Sequence, residues 1–244
     1  MPGLSDVAVE RVLVVVAHPD DAEFWAGGTI AGWTDAGVEV TYCVLTDGDA
    51  GGFDSVVARD GIPGIRRAEQ QDAAALLSVC EVGFFGLAEG SLRGGSRGLH
   101  EDLVRVIRRV RPDRVLTWSP EWNWRRFRSC HPDHLATGAA VLAAIYPDAS
   151  NPFALTHLQR DEGLEPWTVQ EAWLLNSPER EINQYVDITE TFDRKVAAVR
   201  AHASQIQDPA SLAGRLRQRI APSTAAAGLP EGRLAEAFQV VVTG

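Results

Sequence analysis

The apolar run Val12, Leu13, Val14, Val15, Val16, Ala17 breaks off at His18-Pro19-Asp20-Asp21, and this junction constrains the fold more than any other stretch. A short run rich in β-branched residues reads as a parallel strand buried on both faces. Pro19 cannot continue a strand ladder, so the chain turns there and releases the next side chains into the crevice beyond the strand's carboxyl end. A second strand, at 114–119, is followed after a loop by His131-Pro132-Asp133-His134. The two tetrads supply His and Asp side chains at the end of a sheet where α/β folds place their chemistry. They point to a metal site, an acid/base site, or both.

The spacing narrows the reading. His18 and Asp21 are three apart across a turn, so their side chains can converge on one point. His131 and His134 are also three apart, at a helix start: Pro132 suits the first helical position and an apolar helix continues over 135–145. Two imidazoles and a carboxylate on a tetrahedral zinc leave the fourth position to water, as catalytic zinc sites do. The plainer reading is that each tetrad merely caps a helix, where Asp is common in the first turn.

Strands and helices alternate through the first 145 residues. Strand 12–17 leads to a helix near 26–36, strand 38–45 to a helix at 64–79, and a short strand at 81–85 to a helix at 98–110. This is the pattern of an α/β fold: a Rossmann-like, mostly parallel sheet with helices on both faces. Beyond it come a loop over 147–168, strands near 170–176 and 184–188, and a helix near 189–203. The break at Asp208-Pro209 suggests one domain over 1–206 and a small C-terminal α/β appendage, 207–244, packed on it. A net charge of −10 without a lysine-rich face argues against nucleic acid. No apolar run reaches the length of a membrane span, and there is no basic-then-apolar leader. Cys43, Cys80 and Cys130 make no disulfide framework. A cytoplasmic protein is expected.

The ordered set of motifs resembles a known family. Ala17-His18-Pro19-Asp20-Asp21, Gly27-Gly28-Thr29-Ile30, Thr46-Asp47-Gly48 and His131-Pro132-Asp133-His134 look like those of the LmbE-like (PIG-L) zinc-dependent N-deacetylases. Arg66-Arg67-Ala68-Glu69, Arg111-Pro112-Asp113 and Ala201-His202-Ala203-Ser204-Gln205 extend the match in family order. The resemblance implies a hydrolase that removes N-acetyl groups, mostly from amino sugars. It implies His18, Asp21 and His134 as ligands of one Zn2+ per chain, another divalent ion being an alternative. It also implies Asp20 as general base and His131 as the group that stabilises charge or protonates the leaving amine. Asp133 is placed to orient His131 or raise its pKa.

Other residues are candidates for holding the small-molecule substrate. Arg66 lies where family members contact substrate, with an ion pair to Glu69 or Glu10 as the alternative. Asp49 and Glu89 sit in loops after strands and can accept from sugar hydroxyls. His202 matches the family's C-terminal His. Trp122, Trp124, Arg125 and Arg126 precede the second tetrad and offer aromatic faces and guanidinium groups to a sugar or an anion. The same loop, and 147–168, can equally be contacts in a homo-oligomer. A dinucleotide site is disfavoured, because no Gly-x-Gly-x-x-Gly closes the first strand and carboxylates stand where a pyrophosphate belongs. A metal-dependent amidase acting on a non-sugar metabolite or thiol conjugate is the enzymatic alternative. A non-catalytic sugar- or nucleotide-binding module would have little use for a free Asp20.

Overall fold

The computed structural model describes residues 9–52, 58–94 and 97–244. Its centre is one seven-stranded sheet: β1 (Arg11–Val16), β2 (Glu39–Thr46), β3 (Glu81–Leu87), β4 (Arg114–Trp118), β5 (Glu171–Leu175), β6 (Gln184–Asp187) and β7 (Ala235–Val242), in the order β3-β2-β1-β4-β5-β7-β6. β1 to β5 are mutually parallel, whereas β7 runs antiparallel to β5 and β6 antiparallel to β7. The helices are α1 (Asp21–Asp35), α2 (Ile62–Leu76), α3 (Arg97–Val110), α4 (Pro132–Ala143), α5 (Thr156–Glu162), α6 (Phe192–Ala201) and α7 (Leu212–Ala226).

β1 shows why the sheet is covered on both faces. Val12, Val14 and Val16 pack with Ala26 and Ile30 of α1 and Ala73 of α2, while Leu13 and Val15 pack with Leu103 and Ile107 of α3 and Val141 of α4. All five strand residues are fully buried, which requires the uninterrupted apolar run seen in the sequence. β1 is also where the strand order reverses: β2 lies on one side and β4 on the other. The loops leaving β1 and β4 therefore part to opposite faces and open a crevice at the carboxyl edge.

Three features depart from the sequence reading. α1 begins at Asp21 itself, directly after the turn, and not near residue 26. The 147–168 stretch contains α5 and is stapled by Arg108, whose guanidinium donates to the carbonyls of Asp148, Ala149, Asn151 and Ala154 at 2.8–3.1 Å. Trp167 then donates to Pro112 O, 2.7 Å, just before β4 starts, so this end of the stretch lies at the amino edge of the sheet, opposite the crevice. Finally, 207–244 supplies α7 and a strand, β7, that is inserted between β5 and β6 in the central sheet. The expected division at 206/207 does not coincide with an edge of the sheet. Leu212, Leu216 and Ile220, four apart and buried, were the available signal for α7.

β7 also holds α1 in place. Glu236 accepts from Thr29 N at 2.8 Å and Thr29 Oγ1 at 2.6 Å, and its other oxygen takes Lys195 Nζ at 2.6 Å. Lys195 reaches on to the carbonyls of Glu23 and Phe24 in the first turns of α1. On the other face α4 lies against the end of β4, and a Cβ on Gly138 would stand 2.2 Å from Trp118 O. Gly138→Ala should therefore force α4 outward and destabilise the fold by about 1–3 kcal/mol or more. Urea denaturation measures this; an unchanged midpoint would show that α4 can shift freely.

Candidate metal centre

His18 and Asp21 meet His134 at the carboxyl edge. His18 Nδ1 lies 3.1 Å from His134 Nε2 and 3.5 Å from Asp21 Oδ2, and His134 Nε2 lies 3.3 Å from Asp21 Oδ1. Ligands about 2.0–2.1 Å from a tetrahedral zinc stand roughly 3.3 Å from each other, so the two nitrogens and the Asp21 carboxylate fit one small cation. The tautomers agree. His134 Nδ1 faces the carbonyl of Ser129 at 3.0 Å and must donate to it, and His18 Nε2 faces Asp133 Oδ2 at 3.4 Å. With these tautomers both inward nitrogens turn lone pairs to the same point, and a proton or a metal cation between them relieves the repulsion.

The ring of His134 stacks on Trp118, centroids 3.6 Å apart and planes within 6°. Trp118 Nε1 also donates to Asp21 Oδ2 at 3.3 Å. Burial works against a charged His18, yet Asp21 and then Asp133 overcome it and push its pKa up to about 10. The same two imidazoles hold Asp21 well below the usual carboxylate range against its own burial. The carboxylates that favour the protonated His18 would equally favour a divalent ion in its place.

Asp20 stands beside the ligands in a left-handed conformation, φ 93°. Its backbone N–H donates to Gln70 Oε1 at 2.9 Å and its carboxylate accepts from Arg66 Nη2 at 3.1 Å. Arg66 also donates to the carbonyls of Pro19 and Gly48. Behind them Gln70 Nε2 donates to Glu23 Oε1 at 2.9 Å, and Glu23 Oε2 takes His202 Nε2 at 3.2 Å. Burial raises Asp20 to about 6, with the Arg66 charge opposing it. Arg66 is 3% exposed and His202 is fully buried, and both lie behind Asp20 in this network. Arg66 forms neither of the ion pairs considered for it, since Glu69 accepts from Ser204 instead. Gln70 and Glu23 were not singled out from the sequence, although Gln70 falls one turn after Arg66 on the buried face of α2.

Across the cluster, His131 Nδ1 accepts from the Asp133 backbone N–H at 3.2 Å, which leaves the proton on Nε2. Burial, then His18 and His134, push the His131 pKa down. Asp133 is fully buried; its carboxylate accepts from Gly90 N at 2.6 Å and faces His18 more closely than His131, 3.4 against 3.9 Å. Its side chain orients a ligand and its backbone orients His131. Asp49 Oδ1 accepts from Glu89 N at 2.7 Å, and Glu89 Oε2 from Ala50 N at 3.3 Å, so the two acidic residues tie their loops together. Glu89 Oε1 remains 3.9 Å from His131 Nε2.

The stretch before the second tetrad divides in two. Trp122, Trp124 and Phe127 stack on one another, centroids 5.3–6.4 Å apart, and face solvent, Trp124 being 73% exposed. Arg125 pairs with Glu179 at 2.9 Å on the surface. Arg126 turns inward to a cavity it shares with Trp25 and Arg219, neither of which was singled out from the sequence. Cys130 is a buried, packed thiol that accepts from Asn123 N at 3.2 Å.

Comparisons with known proteins identify the family. The PIG-L family pattern, described as GlcNAc-PI de-N-acetylase, matches residues 13–145. Diacetylchitobiose deacetylase of Thermococcus kodakarensis is 32% identical over 82% of this chain and 72% of its own length. A probable N-acetyl-alpha-D-glucosaminyl L-malate deacetylase 2 of Bacillus cereus is 33% identical over 81% and 84%. The solved N,N'-diacetylchitobiose deacetylase of Pyrococcus horikoshii superposes with a TM-score of 0.84 at 29% identity, covering 96% of this chain and 84% of that one. A 4-carboxy-2-hydroxymuconate hydratase of Pseudomonas putida shares the fold at 24% identity and a TM-score of 0.77, so the fold alone does not decide the reaction. The matched residues carry both tetrads and the relatives cover most of the chain: this protein is a hydrolytic enzyme of the PIG-L (LmbE-like) family of N-deacetylases.

Proposed function

We propose that the chain removes an acetyl group from the nitrogen of an amino sugar, using a zinc ion held by His18 Nδ1, Asp21 and His134 Nε2. The observation that carries this reading is the convergence of the two imidazole nitrogens and the Asp21 carboxylate oxygens at 3.1–3.5 Å, with Asp20 beside them and His131 opposite. The amino-sugar substrates named for the Thermococcus and Bacillus relatives support the substrate class. When bound, zinc polarises an amide carbonyl and brings the pKa of water to about 7. Asp20 accepts the proton of the attacking water, and its anchorage by Arg66 and Gln70 keeps the carboxylate aimed while the bond forms. His131, neutral and carrying its proton on Nε2, donates to the carbonyl oxygen as negative charge develops there. The amine must depart protonated, and the proton taken up by Asp20 is available for it. The deacetylated sugar and acetate are the products. Asp133 takes no proton; it fixes the His18 tautomer and, through its backbone, that of His131.

Four outcomes are expected. Wild-type protein should contain about one zinc per chain. Chelation should lower its Tm and zinc should restore it. His134→Ala should lose the metal, whereas Asp20→Asn should retain it and lose on the order of 10²-fold or more in kcat. Elemental analysis beside release of acetate from N-acetylated sugars measures both, and an exchange of these two phenotypes would overturn the assignment. Gln70→Leu, which leaves the Asp20 N–H without its partner, should keep zinc and KM while lowering kcat about tenfold; a change in KM alone would remove its positioning role.

A further inference from the structure

A cavity of about 400 Å³ opens beside the metal ligands, between the first turns of α1, the loop before α4, the end of β5 and α7. Trp25 forms its wall towards the centre: it meets Trp118 edge-on at 5.2 Å, and Trp118 in turn stacks on His134. Asn176, also in the wall, donates to the Ser129 carbonyl that orients His134. The cavity thus lies two rings, Trp25 and Trp118, from His134.

Its charge is unusual for a protein of net charge −10. Arg126 and Arg219 both line it, from the loop and from α7. Among the described residues neither guanidinium makes a hydrogen bond or an ion pair; Arg219 lies over the ring of Trp25, 4.1 Å from its centroid. The two carboxylates in the same wall are already committed, Glu179 to Arg125 at 2.9 Å and Glu236 to Lys195 at 2.6 Å. Burial first, then the neighbouring Arg126, press the Arg219 pKa down to about 10, against the pull of Asp21 and Asp20. Two half-buried guanidinium groups that repel each other and lack an acidic partner disfavour the empty cavity, and an oxyanion relieves this by bridging them. Trp25 and Tyr185 add aromatic surface suited to a sugar ring.

We propose that Arg126 and Arg219 form an oxyanion subsite, so that the preferred substrate is an N-acetylated amino sugar carrying a phosphate or carboxylate group. This rests on the deacetylase reading of the adjoining centre and adds the charge of the substrate to it. Arg219 is a binding residue for the remote anion and takes no part in the bond change.

The test compares N-acetylglucosamine with its 1-phosphate, its 6-phosphate and N-acetylmuramic acid. Kd by calorimetry and kcat/KM by acetate release are measured on the zinc-loaded wild type and on Arg126→Gln, Arg219→Gln and Arg217→Gln. Arg217, on the same helix but over Phe192 and outside the cavity, controls for loss of a charge. The wild type should bind at least one acidic sugar about tenfold or more tightly than the neutral one. Arg126→Gln and Arg219→Gln should each remove most of that preference, and Arg217→Gln should keep it. Preference for the phosphates alone or for N-acetylmuramic acid alone identifies the anion. Equal binding of neutral and acidic sugars by the wild type, no binding of any acidic sugar, or a preference that survives both cavity variants would overturn the subsite. An Arg-dependent preference in Kd without acetate release would uphold the subsite and overturn the deacetylase reading instead.

Discussion

The parallel pairing of β1 with β4 is the constraint on which the rest depends. Val12, Leu13 and Val14 stand beside Arg114, Val115 and Leu116, so the two strands end level at the same edge of the sheet. The tetrads that follow them are more than a hundred residues apart in the chain, yet their imidazoles come within 3.1 Å. A register slip of one residue would turn His18 to the opposite face and dissolve the cluster. The buried apolar faces of β1 therefore fix the register and, through it, the geometry of the ligands.

A metal ligand set placed by a sheet still needs its side chains aimed, and here buried polar groups do the aiming. Asp133, Ser129, Trp118, Gln70 and Arg66 each touch a ligand or the base by a hydrogen bond or a stacked ring. Further back, Glu23 and His202 hold Gln70, and Lys195 with Glu236 hold the start of α1. Polar groups this deep are costly unless paired, and the loss of one partner leaves a buried charge or dipole behind. Such a network has one low-energy arrangement, which suits a site that must keep Asp20 in a left-handed conformation. The last strand of the chain takes part in it, so residues far beyond the second tetrad help to position the first.

The electrostatics divide the crevice. At the candidate metal centre the field is negative: Asp20, Asp21 and Asp133 lie close together, and a divalent cation there would offset them. Beyond the rings of Trp118 and Trp25 the field is positive, from Arg126 and Arg219. Opposite fields this close together are the electrostatic basis of the oxyanion subsite proposed above.

Much of this was legible in the sequence because it is local. The β-branched run before His18, the Pro that ends it, the three-residue spacings in both tetrads and the alternation of strands with helices all act over a few residues, where period and steric preference decide conformation. These indicated the α/β class and a His/Asp cluster at the sheet edge, and the family resemblance added the ligand set and the part expected of Asp20. Other roles depended on contacts between distant segments. Arg66 and His202 have side chains suited to a substrate, but helix packing carries them behind Asp20. Trp122 and Trp124 stack outward while their neighbour Arg126 turns inward, a difference that composition cannot express. Gln70, Glu23 and Arg219 belong to no motif, since their partners lie on other elements. Only the tertiary structure decided these, because a buried donor finds its acceptor through the packing of whole helices and strands and not through its place in the chain.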